Sequence, residues 1–215
     1  MLKNSFLVLS VLVVFNCYAK NKEMKMRPEL LATTETRAWQ AYYQKDAPSL
    51  IANLRKMFQL QYGLTEEQAN VVTADYAKAA AIFGNLPHHS SQLIYDEKVL
   101  PLLIKAYSSL NQYYPMPDYK AAAKYDLAWW VERRDPKTAN PIIVGESMAK
   151  MYRAIYGNAN QQYLQRAGYL RALAGQYRDL TKDAWQGTQS QDWNTVQNML
   201  VYAYQALAQA NRKNT

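Results

Sequence analysis

The chain has 215 residues, enough for one domain with a sizeable core. It carries 25 Lys and Arg against 17 Asp and Glu, a formal net charge of +8, and one cysteine, Cys17. A single cysteine excludes an internal disulfide framework, so helix packing alone must stabilise the fold.

The first 19 residues read as a secretory signal peptide. Lys3 lies in the n-region, Phe6 to Phe15 is apolar except for Ser10, and Cys17 and Ala19 supply small residues where a signal peptidase reads them. Cleavage is expected after Ala19, which places the protein in the periplasm or outside the cell. The apolar run is about ten residues, against the roughly 20 that a spanning helix needs. A lipoprotein acylated on Cys17 is the second reading, but Asn16 is bulkier than the residue such sites place before the cysteine. Cleavage after Ala19 also removes Cys17, and with it any thiol nucleophile. Residues 20–27 then form a basic N-terminal tail, and Arg212 and Lys213 add charge at the other end. Such tails serve solubility or a peripheral contact with an anionic surface; nucleic acid is not an expected partner of an exported protein.

From residue 28 to 212, few glycines and long 3.6-residue periodicities predict an all-α, single-domain bundle of about seven to eight helices. The first runs from Pro28 to Lys45 with Leu31, Glu35, Trp39, Tyr42 and Tyr43 on one face. The second opens at Pro48-Ser49, turns Ile51, Leu54, Met57 and Phe58 inward, and closes at Gly63. Thr65 with Gln68 spells a capping box for the third. Its stripe is Val72, Tyr76, Ala79 and Phe83, and Gly84 is expected to stop it. His88 and His89 lie in the following loop without a ligand spacing that would suggest a metal. A helix over 92–113 carries Pro101, which predicts a kink or a late start.

The next helix, 118–134, has Asp118 as its N-cap and ends before Asp135-Pro136. Tyr119, Ala123, Asp126, Trp130 and Arg133 share one side of it. Ala121, Lys124, Ala128 and Glu132 share the other. Asp126 therefore points where Trp130 points, inward. Asn140-Pro141 starts a helix with Ile143, Met148, Met151 and Ile155 as its apolar surface and Gly157 at its end. The helix from Gln161 to Asp183 carries the stripe Tyr163, Ala167, Leu170, Ala174 and Tyr177, with Arg171 and Arg178 along one border. Gly168 and Gly175 would admit a close neighbour. Ser190 caps the last helix, whose stripe is Trp193, Val196, Leu200, Tyr204 and Leu207.

The combination WWVERR, LRALAGQYRDL and DWNTVQNMLVYAYQAL resembles a loosely defined group of small all-helical bacterial proteins. They share a W-W-x-x-R-R helix, a helix ending in R-D and a closing W…Y-x-x-L helix. The resemblance covers most of the mature chain. It implies the fold and carries over no activity and no catalytic residue.

A carboxylate on an apolar face needs a partner. Arg171 and Arg178 are the best placed for Asp126, with Arg133 a long reach along the same helix. Pairing would lower the pKa of Asp126. The candidate site is therefore Asp126, Trp130, Arg133, Arg171 and Arg178. It is either a buried polar cluster that locks helices or the polar end of an aromatic-lined pocket for a small anionic ligand. No Ser-His-Asp arrangement is evident, and no metal or cofactor is expected. An enzyme would have to rely on arginine electrostatics, or on acid–base work by Asp126, Glu132 or a tyrosine. The preferred reading is an exported, non-catalytic protein that binds a partner or stabilises an envelope assembly. Such a protein should show an exposed apolar patch rimmed by polar groups.

Overall fold

A computed structural model describes residues 26–181 and 189–212. The expected signal peptide, Cys17 and residues 20–25 of the basic tail lie outside the described residues. Among the described residues the chain forms nine α-helices, one or two more than the periodicity predicts. They are α1 (Pro28–Gln44), α2 (Ala47–Tyr62), α3 (Glu66–Asn85), α4 (Gln92–Lys98), α5 (Leu100–Tyr113), α6 (Tyr119–Arg134), α7 (Pro141–Tyr156), α8 (Gln161–Thr181) and α9 (Gln189–Ala210). The extra helix comes from Pro101, which sits in the first turn of α5 and separates it from α4. No helix among the described residues is long and apolar enough to cross a membrane.

Local chemistry sets most of the ends. Asp118 accepts from the Ala121 N–H at 2.9 Å, and Asn140 accepts from Ile142 and Ile143. Thr65 and Gln68 form both halves of the capping box. Gly63 and Gly157 close α2 and α7 at positive φ, where a side chain would be strained. Gly84 does not stop α3, which continues to Asn85. The stop is Leu86, held in an extended conformation by the proline that follows it. The last helix already includes Ser190, so that residue is not its N-cap.

Each helix packs on its neighbours in sequence, with α3 meeting α5 past the short α4, and α9 returns to pack on α1. The result is a closed ring of antiparallel helices. A ring leaves an interior wider than the seam between two neighbours, and short aliphatic side chains cannot fill it. Trp129, Trp130, Tyr76, Tyr107, Tyr204 and Arg171 fill it instead. Trp130 sits edge-on to Tyr76, Phe83 and Trp129, with ring centroids 5.2–6.1 Å apart. At the α7–α8 seam the backbones nearly touch: a Cβ on Gly145 would lie 2.8 Å from the Cα of Tyr169.

Two expected stripes are rotated. Ile51 is 45% exposed, because α2 buries only its C-terminal end, at Gln61 and Tyr62. Ile143 is also exposed, and the inner face of α7 starts instead at Val144. On α8 the buried line is Leu164, Ala167, Gly168, Arg171, Ala172, Ala174 and Gly175. Arg171 is therefore central to the buried face, not on its border.

Candidate functional site

The predicted site residues fall into two clusters. The first lies in the middle of the ring. Asp126 is fully buried, as its helical phase predicts. Its carboxylate accepts from the indole N–H of Trp129 at 2.7 Å and from the Tyr107 hydroxyl at 3.0 Å. Neither Arg171 nor Arg178 bonds to it, so the expected ion pair does not form. Arg171 is taken by Glu35 of α1, donating through Nε at 2.7 Å and pairing also through Nη2. The Tyr204 hydroxyl donates to the other Glu35 oxygen at 2.8 Å. Trp129 stands between the two acids: its N–H bonds Asp126, and the Arg171 guanidinium lies 5.0 Å from its ring centroid.

This arrangement reverses the expected pKa shift. Burial raises the Asp126 pKa, and the field of Arg171 with the hydrogen bonds of Tyr76, Trp129 and Tyr107 offsets only part of it. Burial opposes the charge on Arg171, but Glu35 outweighs it and holds the guanidinium firmly protonated. Behind Tyr107, the space it shares with Phe58, Val72, Tyr76, Ala106 and Leu110 has no room for a water molecule. The central cluster is thus a hydrogen-bonded seam joining α1, α5, α6, α8 and α9.

The second cluster lies at the end of the ring where α1, α6 and α8 finish. Arg133 donates through Nε to Asp179 at 2.8 Å, and through Nη2 to the Tyr43 hydroxyl at 2.7 Å and the Gly175 carbonyl at 3.2 Å. Its guanidinium lies 5.0 Å from the Trp39 ring centroid. Arg178 is stacked 3.2 Å from the Tyr43 ring centroid and donates to Asp179 at 3.0 Å. Burial opposes the charge of Asp179, but Arg133 and Arg178 outweigh it and keep its pKa below the usual carboxylate range. Burial also raises the Tyr43 hydroxyl, so it stays protonated. The expected close neighbour of Gly175 is Arg133 itself, whose Cζ lies 3.0 Å from where a Cβ would stand.

Sequence reasoning singled out Arg133, Arg171 and Arg178 but missed their acids. Glu35 was visible on the α1 stripe, a charge among Leu31, Trp39 and Tyr43, and that is the same signal that marked Asp126. Asp179 follows Arg178 directly and gave no pattern. Glu132 lies on the other side of α6, half-buried, and accepts from Ser147 at 2.7 Å. His88 and His89 are both exposed. Among the described residues no three His, Cys, Asp or Glu side chains are grouped to hold a metal ion.

No protein-family model, no curated protein and no solved structure matches this chain.

Proposed function

We propose that this is an exported, non-catalytic helical protein that binds a protein partner in its compartment. The observation that carries the reading is where the apolar side chains of α7 and α8 lie. Tyr169 is 44% exposed and Leu180 76% exposed, on one line of α8 with half-buried Leu173 and Gln176 between them. Ile142, 73% exposed, lies in the first turn of α7, one turn before Gly145, which packs against the backbone of Tyr169. Exposed Gln162, Arg166, Glu146 and Lys150 border this line, the last two as an ion pair. An apolar strip with a polar rim is the usual form of a partner surface. The carboxylates of the central seam support the same reading, because they are engaged in holding helices together.

The test is site-specific photo-crosslinking in the native cell, with a photoreactive residue at 169 or 180 and exposed Lys78 and Lys120 as control sites. A discrete adduct at 169 and 180, absent at the controls, is the expected result. Equal labelling at all four, or none at 169 and 180, overturns the reading. N-terminal sequencing of the same material tests export: the mature chain should begin at Lys20, and lipid on Cys17 would replace cleavage with anchoring.

A further inference from the structure

The Tyr43–Arg133–Arg178–Asp179 cluster has more donors than it uses. Among the described residues, two guanidiniums share the one carboxylate of Asp179. Arg133 is engaged on two of its nitrogens: Nε goes to Asp179, and Nη2 is shared between Tyr43 and Gly175. Arg178 is not. Its bond to Asp179 comes from Nη1 alone, and its Nε is buried with no hydrogen-bond partner among the described residues. A buried N–H left unpaired carries a desolvation cost that a native fold rarely leaves unrelieved.

Geometry holds this edge ready. Stacking on Tyr43 fixes the plane of the Arg178 guanidinium, and a fixed planar fork matches two oxygens of a carboxylate or phosphate. The side chain keeps 15% of its surface and that of Asp179 keeps 36%, so the cluster opens to solvent on the Asp179 side. The carboxylate of Asp192 on α9 accepts from the Tyr177 hydroxyl at 3.0 Å, so part of its capacity is already used.

We propose that this end of the ring is a binding site for a small oxyanion, a carboxylate or phosphate group, recognised by Arg178 with Arg133 behind it. Asp179 acts there as an internal competitor that holds the two arginines in place when no anion is bound. The site adjoins the Leu180 end of the α7–α8 strip but uses none of its apolar side chains, and it is tested without it.

The test is titration of the purified protein with inorganic phosphate and, separately, with succinate at constant ionic strength, following by NMR the Arg133 Nε–H and the backbone amides of Gly175 and residue 179, which every variant keeps. A saturable shift with either anion is expected, and the two arms decide which oxyanion the site prefers. Arg178→Gln should abolish it and Arg178→Lys should weaken it. Asp179→Asn should tighten binding about tenfold, since it removes the competing charge at contact distance. No saturation with either anion, or the same shift in Arg178→Gln, overturns the proposal. If Arg178→Gln does not fold, Asp179→Asn decides: binding that is unchanged or weaker rejects the site.

Discussion

Arg171 and Glu35 lie 136 residues apart in sequence and meet as a buried ion pair in the middle of the helical ring. Glu35 is 1% exposed and Arg171 8%, so neither charge can be rehydrated if the other is lost. Glu35→Ala or Arg171→Ala should therefore cost about 3–5 kcal/mol, most of it from the charge left behind. Replacing both with apolar residues of similar length should recover most of that loss. Urea melts of the two single variants and the double variant measure the coupling. Additive losses would show that the pair does not act as a unit.

Asp126 gives a pH prediction with a definite sign. Burial raises its folded pKa above the unfolded value. The folded state then holds its proton more tightly, so the contribution is present below the unfolded pKa and lost as pH rises through the folded one. Asp126→Asn cannot ionise. Its carbonyl can still accept from Trp129, and its amide can donate to Tyr107, whose proton can turn to the Met151 sulfur 3.5 Å away. The variant should gain on the natural protein as pH rises from about 4, the ordinary carboxyl value. Denaturant melts of both proteins from acid to neutral pH check this. A variant that loses ground as pH rises would mean that Arg171 dominates and Asp126 is held charged. Asp126→Ala should cost about 1–3 kcal/mol for each donor it leaves unpaired.

Gly168 tests the α7–α8 seam. A Cβ there would press into the Gly145 carbonyl oxygen and stand 2.9 Å from the Ala149 nitrogen. Both are backbone atoms of one helix, so the two helices would have to separate. Gly168→Ala should cost about 1–3 kcal/mol or more. Gly175→Ala meets only the end of the Arg133 side chain and should cost less. Thermal melts of the two variants rank them, and the reverse order would place the tight seam elsewhere.

Sequence by itself determined the helices, their caps and much of their phase. Thr65, Asp118 and Asn140 cap their helices because a side-chain oxygen within three residues reaches a free N–H, and that chemistry is local. Asp126 and Trp130 are buried together because both lie on one face of α6, and a 3.6-residue period is also local. Where local reasoning met a weak signal it erred: Ile51 and Ile143 belong to sides that no neighbour covers, which periodicity cannot show. Tertiary structure alone decided the partners. Asp126 and Arg171 both face the interior, and sequence offered charge as the reason to join them. The ring instead turns Glu35 of α1 and Arg171 of α8 into the same interior, so Glu35 reaches Arg171 first, while Trp129 and Tyr107 close over Asp126. A guanidinium can satisfy only what lies within hydrogen-bond reach, and which helix stands there depends on how the whole ring closes.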